Sequence, residues 1–149
     1  MPDPVHRADG RTAAERKLKV LAERTFLSLW SYPGVFRDQG AGGENHEGKE
    51  VCDLLVVFDP HVLIFSDKDC RFADGSADDL EKRWGRWFRR AVLDSARQVW
   101  GAERWIRAFP NRLFLDRQCS TRFPYPLPAL ERAVFHRVVV AHDGARACR

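Results

Sequence analysis

The chain has 149 residues, 44% of them hydrophobic and 31% charged, which fits a single globular domain with a substantial buried core. Its longest apolar run is five residues, Leu54 to Phe58, and its N-terminus lacks an apolar segment, so we expect neither a membrane span nor a secretory signal. We therefore expect a cytoplasmic protein with no membrane partner, and its four scattered cysteines exclude a clustered zinc site.

The first predicted element is a helix over residues 12–30, which follows a flexible N-terminal segment at 1–11 and opens the single domain 12–149. Glu23 precedes apolar residues by three, four and seven positions, so it shares an apolar face of this helix. A carboxylate on such a face is costly to bury unless it is paired or bound to a cation. Glu23 is therefore predicted either to form a salt bridge with an arginine or to contribute to a metal site.

A break follows at Ser31 to Gly34, because proline and glycine end a helix, and Val35 to Arg37 is predicted to be a short strand. The glycine-rich polar segment 38–50 is predicted to be a mobile loop. It ends at Glu50. The Glu50 side chain alternates away from that of Asp53, but strand ends twist, so we keep Glu50 as a further candidate metal ligand.

The segment from Val51 to Lys68 predicts a β-hairpin of two apolar runs joined by Asp59-Pro60. If this two-residue connection closes the hairpin, Asp53 lies directly opposite Ser66, and Lys68 shares their face. An acid, a hydroxyl and an ammonium then converge at the far end of an otherwise apolar hairpin. We interpret this convergence as the candidate site of chemistry.

A polar loop with a capping box from Ser76 to Asp79 leads into the longest predicted helix, residues 80–106, which Gly101 is expected to bend or break. An amide, Gln98, lies on its apolar stripe and must be hydrogen-bonded if it is buried. Cations crowd the opposite side, which is either an ordinary solvated face or a phosphate-binding surface in a chain of formal net charge +4. These cations are Lys82, Arg83, Arg86, Arg89, Arg90 and Arg97.

Two further strands are predicted near the C-terminus. Residues 112–116 suit a parallel strand reached by a helical crossover, and the alternating run 133–141 suits another strand, on which His136 is more typical of a packed histidine than of a ligand. Residues 142–149 look like the opening of a helix, so we expect a chain that is truncated at the C-terminus or short. The predicted fold class is α/β, a mixed β-sheet with flanking helices.

Asp53 on one strand and Ser66-Asp67-Lys68 at the end of the next resemble the core motif of the PD-(D/E)xK, or restriction-endonuclease-like, nuclease superfamily. Asp53 matches the first acid and Lys68 the lysine, whereas Ser66 occupies the place of the second acid. Gln98 fits a glutamine that some branches carry on the corresponding helix, although the tyrosine that follows it there is missing. The resemblance covers roughly residues 13–116, and the element order matches an αβββαβ core. Two segments, ERTFLSLWSYP and GKEVCDLLVVF, also resemble those of an uncharacterised bacterial branch.

The resemblance implies a metal-dependent nuclease that hydrolyses phosphodiester bonds of DNA or RNA. Asp53 would hold Mg²⁺ or Mn²⁺, with help from Glu23 or Glu50 and from a backbone carbonyl near Asp67. The metal would activate a water molecule. Lys68 would orient that water and stabilise the charge that develops on the phosphate.

In this interpretation Ser66 and Gln98 complete the catalytic group, and the cations of the predicted helix 80–106 contact nucleic acid. A hydroxyl at Ser66 can bind a metal-bound water but does not supply the charge of a carboxylate. The substitution therefore supports an alternative, in which a catalytically inactive nuclease fold serves as a nucleic-acid-binding or protein-interaction module. A third class is a plain interaction module whose tryptophan and arginine side chains face a protein partner.

Overall fold

The computed structural model describes residues 12–25, 30–40, 47–75 and 79–147. The predicted flexible segment at 1–11 and Ser76 of the predicted capping box lie outside these ranges. In chain order the elements are α1 (Ala13–Arg24), β1 (Ser31–Arg37), β2 (Lys49–Phe58), β3 (His61–Lys68), α2 (Leu80–Phe88), a π-helical turn (Arg89–Leu93), α3 (Asp94–Ala108), β4 (Leu113–Phe114), β5 (Val134–Ala141) and α4 (Gly144–Ala147).

The five strands form one mixed sheet in the order β4-β1-β2-β3-β5. β5 runs parallel to β3, while the other neighbouring pairs are antiparallel. The predicted α/β class with a mixed sheet is confirmed.

Alternating residues of β2 pack against different helices. Leu54 and Val56 share a buried cluster with Leu18 and Ala22 of α1. Leu55 and Val57 belong instead to the main core, together with Val99, Ala102 and Ile106 of α3. Because successive strand side chains point to opposite faces, α1 covers one face of the sheet and α3 the other.

The β2–β3 hairpin has the predicted connection. Phe58 pairs with His61 across Asp59-Pro60, and the pairing continues to Leu54 and Phe65. The next positions in this register are Asp53 and Ser66, so the ladder of paired residues ends where the candidate site was predicted.

β1 begins at Ser31, four residues before the predicted strand start at Val35. Pro33 sits inside this strand and pairs with Leu54, where a helix break was expected. Gly34 has a positive φ of 61°, which glycine adopts without steric cost, and a register shift follows between Val35 and Phe36. The proline is tolerated because it lies beside this irregularity in the strand.

The helical run from residue 80 to 108 is continuous, and its irregularity is the π-helical turn at Arg89–Leu93. Gly101 was expected to bend or break the helix, but it lies within α3, so that prediction is wrong. Ala91, in the middle of this π turn, is fully buried.

The predicted parallel strand at residues 112–116 is wrong in both length and direction. Only Leu113 and Phe114 form β4, and they pair antiparallel with β1 at the sheet edge. The parallel strand is β5, which pairs with β3 over eight positions, from His61 opposite Val134 to Lys68 opposite Ala141. The long α2–α3 run is therefore part of the connection between the parallel strands β3 and β5. Between α3 and β5 the chain also forms β4, at the opposite edge of the sheet.

Within the described residues, no helix combines the length and the apolar character that crossing a membrane requires.

Candidate active site at the end of the β2–β3 hairpin

Asp53 is the central acid at the end of the hairpin. Its Oδ2 accepts a hydrogen bond from the backbone N–H of Asp67 at 2.5 Å, so a side chain joins β2 to β3 just beyond the last paired residues. Burial raises the pKa of Asp53, and the negative charges of Glu15 and Asp67 raise it further. The Asp67 N–H and the Lys68 ammonium oppose this shift without cancelling it. The carboxylate therefore lies in an environment that favours a proton or another cation.

Ser66 and Gln98, both chosen from the sequence, are in contact. Ser66 is completely buried, and its Oγ donates a hydrogen bond to Oε1 of Gln98 on α3 at 3.2 Å. This bond gives a partner to the half-buried amide that the sequence pattern singled out. The Ser66 hydroxyl therefore joins the hairpin to α3 at a position that solvent does not reach.

The expectation that Glu23 is buried is wrong. Glu23 is exposed near the C-terminal end of α1, which ends at Arg24. The expectation rested on Phe26, Leu27 and Trp30, and the first two lie outside the described part of the chain. The buried stripe of α1 is Ala14, Leu18 and Ala22.

Glu15, in the first turn of α1, is the helix carboxylate that acts on Asp53. It is half-buried, and its charge is one of the causes of the raised pKa of Asp53. Its backbone N–H donates to Thr12 Oγ1 at 3.1 Å, which caps the helix start and fixes this turn. Sequence reasoning missed Glu15, although its spacing of three and seven residues from Leu18 and Ala22 placed it next to the buried stripe.

His142 is a second residue that the sequence did not reveal. Its Nε2 lies 2.6 Å from Oδ1 of Asp67, whose side chain is only 2% exposed. The parallel β3–β5 register explains the contact, because it sets Ala141 opposite Lys68 and so brings the next residue beside the hairpin end. The segment is further fixed by Trp87, whose Nε1 donates to the backbone oxygen of His142 at 3.2 Å.

The donor set at this end of the sheet consists of oxygens. Among the residues that the structure describes, no three His, Cys, Asp or Glu side chains form a group that could hold a metal ion by themselves. Mg²⁺ commonly uses only one or two carboxylates and completes its shell with water and substrate oxygens. Asp53 fits that requirement, since neighbouring negative charge and burial both disfavour an uncompensated carboxylate there.

An open groove runs between α3 and the ends of β1 and β2, with a volume of about 1110 Å³. Gln98 and Glu50 both lie in its wall, so the groove adjoins the Ser66–Gln98 contact. The Arg37 guanidinium stacks 4.2 Å from the centre of the Trp105 ring. Two carboxylates, Glu50 and Asp94, face five cations in the lining, Arg37, Lys49, Arg97, Arg104 and Arg107.

The predicted cationic helix face divides into three parts. Arg83 is packed against the loop before α2, where its Nη1 donates to the Ala73 oxygen at 2.7 Å and its guanidinium lies over Phe72. Arg83 is therefore not part of a freely solvated face, and its contact with nucleic acid stays a prediction. Arg97 lines the groove and pairs with Asp94 at 3.1 Å. The remaining members are exposed, namely Lys82, Arg86, Arg89 and Arg90.

No family model, no curated protein and no solved structure matches this chain. Its functional class therefore has to be inferred from the arrangement of its own residues.

Proposed function

We propose that this protein is a metal-dependent phosphodiesterase of the PD-(D/E)xK type that hydrolyses DNA or RNA. The observation that carries the proposal is Asp53, a half-buried carboxylate with a raised pKa at the end of the hairpin. The charge of Glu15 raises this pKa and that of Lys68 lowers it. The element order adds support. When β4 is set aside as an added edge strand, α1, β1, β2, β3, the α2–α3 run and β5 follow the αβββαβ order.

Asp53 is the residue that would hold Mg²⁺ or Mn²⁺, and Glu15 is the candidate for a second carboxylate because its charge acts on Asp53. A bound ion of this kind supplies an activated water and neutralises charge on a phosphate. The backbone N–H of Asp67 orients the Asp53 carboxylate through Oδ2. That bond leaves Oδ1 and the second lone pair of Oδ2 for other partners.

Lys68 would act on the phosphate. Its charge lowers the pKa of Asp53, which identifies it as the cation coupled to that carboxylate. An ammonium in this position stabilises negative charge that develops on a phosphoryl oxygen during hydrolysis. The buried Asp67 carboxylate accepts from His142, and this contact supports the backbone from which Lys68 projects.

The nucleic acid would lie along the groove beside α3. A groove with more cations than acids attracts phosphates, and each neutralised phosphate releases counterions. The exposed cations Lys82, Arg86, Arg89 and Arg90 offer a second surface for the same ligand.

The binding-only alternative has its own supporting observation. Ser66 is completely buried and bonded to Gln98, so the position of the second acid is filled by a packing residue. A nuclease fold that has lost a ligand there could bind nucleic acid without cleaving it. The two functions make the same prediction for binding and opposite predictions for cleavage.

The test is a cleavage assay on supercoiled plasmid, single-stranded DNA and RNA with Mg²⁺, Mn²⁺ or EDTA. The proposal expects cleavage of at least one substrate that EDTA abolishes and that Asp53→Asn reduces by about 100-fold or more. Asp59→Asn is the matched control, because Asp59 lies in the hairpin connection and pairs only weakly with Arg132 at 3.5 Å. Binding without cleavage under every metal condition would establish the alternative.

A further inference from the structure

Two histidine rings meet at the other end of β3, beside the hairpin connection. His61 begins β3 opposite Val134, and His136 lies on β5 opposite Leu63, so the two histidines are diagonal neighbours on adjacent strands. Nδ1 of His61 lies 3.0 Å from Nε2 of His136, and the contact is exposed to solvent. The expectation of a packed histidine at 136 is wrong, because its side chain is exposed.

We propose that this histidine pair binds a divalent transition-metal ion, with Ni²⁺ and Cu²⁺ preferred to Zn²⁺. Metal–imidazole distances are about 2.0–2.1 Å. Two nitrogens 3.0 Å apart, each about 2.05 Å from one ion, subtend an angle of about 94° at that ion. This is close to the right angle of the tetragonal sites that Ni²⁺ and Cu²⁺ prefer, and well below the tetrahedral angle typical of zinc.

The two rings are already neighbours before any ion binds, and each has to tilt off the line that joins the two nitrogens to share an ion. The His61 ring packs against Phe58 with ring centres 5.2 Å apart, and the same distance separates it from the His136 ring. At present one imidazole donates its N–H and the other accepts it. An ion would take the lone pairs of both facing nitrogens. The proton now shared between them would move through solvent to the other nitrogen of the donor ring, so both rings stay neutral.

Such an ion would tie the edge strand to the sheet. β5 has β3 as its sheet neighbour, and the histidine pair spans these two strands at the start of both. Because the two histidines are 75 residues apart in sequence, the folded chain brings them together. A ligand that binds the folded state stabilises it in proportion to the logarithm of its free concentration above Kd.

This site is independent of the proposed hydrolytic function. It uses imidazole nitrogens, which suit softer transition metals, whereas the Asp53 end of the hairpin offers carboxylate oxygens that suit Mg²⁺. Loss of one site should leave the other intact.

The test is urea unfolding of the full chain in increasing NiCl₂, with His61→Gln, His136→Gln and His142→Gln compared with the wild type. The wild type and His142→Gln should shift to higher urea with each tenfold increase in Ni²⁺, each relative to its own metal-free midpoint. His61→Gln and His136→Gln should show no shift. In Cu²⁺ electron paramagnetic resonance, coupling to two imidazole nitrogens in the wild type should be lost in both of these variants. A shift that survives in both, or a wild type that does not respond to either ion, would overturn the proposal.

Discussion

At the scale of single residues, Asp53 lies in an environment that differs from that of a surface carboxylate. Its pKa is raised by burial first and by Glu15 and Asp67 next. A carboxyl whose pKa is higher in the folded than in the unfolded chain contributes stability below its unfolded pKa, near 3.9. That contribution is lost as the pH rises through the folded pKa. Ionised Asp53 therefore destabilises the fold at neutral pH.

Asp53→Asn should consequently raise the thermal midpoint at pH 7 in the absence of metal. The amide keeps an oxygen that accepts the Asp67 N–H and removes the unfavourable charge. The difference from the wild type should shrink as the pH approaches 4, because the wild-type carboxyl then becomes neutral too. Calorimetry from pH 4 to 8 measures this. A variant that is less stable than the wild type at pH 7 would mean that the ionised carboxylate is well compensated.

Glu15 and Glu23 offer a matched pair of substitutions on the same helix. Glu15→Gln should lower the cleavage rate and weaken Mn²⁺ activation, on the order of tenfold, because Glu15 acts electrostatically on Asp53. Glu23→Gln should change neither, since Glu23 is exposed near the opposite end of α1. Rates per folded molecule across a Mn²⁺ titration provide the measurement. Equal losses in both variants would refute the assignment of Glu15.

At the scale of elements, what the sequence could predict was local. The hairpin was predicted correctly because Asp59-Pro60 fixes a two-residue connection and alternation fixes the faces. Gln98 was recognised as an amide on an apolar stripe, and its partner proved to be Ser66. The parallel β3–β5 pairing depends on residues about 75 positions apart, for which no local pattern exists. His142 was missed for the same reason, because only that pairing brings it to Asp67.

The Ser66–Gln98 contact between β3 and α3 makes an element-scale prediction. Ser66→Ala should destabilise the protein by about 1 kcal/mol, because it leaves the half-buried Gln98 oxygen without the donor that the buried Ser66 supplies. Gln98→Leu removes the amide, so adding Ser66→Ala to it should cost much less. Urea unfolding of the two single variants and the double variant gives the coupling. Additive costs would show that the bond contributes nothing to joining the two elements.

At the scale of the whole molecule, the basic net charge could be predicted from the sequence, whereas the place where the charge accumulates could not. Two arginines of the predicted helix face lie elsewhere: Arg83 packs against the loop before α2, and Arg97 lines the groove. Arg37 and Lys49 come from strand ends far from that helix in sequence, so only the folded sheet brings them to one wall with Arg104.

We expect the groove to contribute more than the exposed helix face to binding of a single-stranded oligonucleotide. Arg37→Ala, Lys49→Ala and Arg104→Ala together should reduce the slope of log affinity against log salt by about two units, at about 0.7 per phosphate contact. Arg86→Ala, Arg89→Ala and Arg90→Ala remove the same charge from the helix face and should reduce it less. Fluorescence anisotropy in EDTA measures binding without cleavage. A larger reduction in the helix-face variant would place the nucleic acid there instead.

The central claim is that the hairpin end around Asp53 is a metal-dependent hydrolytic site. Its most direct test is the cleavage rate per folded molecule of the wild type, Asp53→Asn and Asp59→Asn across a Mn²⁺ titration, on the substrate that the wild type cuts best. The account predicts saturable Mn²⁺-dependent cleavage for the wild type and Asp59→Asn, and a loss of about 100-fold or more for Asp53→Asn. Equal rates for Asp53→Asn and the wild type, or a wild type that cuts neither DNA nor RNA with any metal, would contradict it.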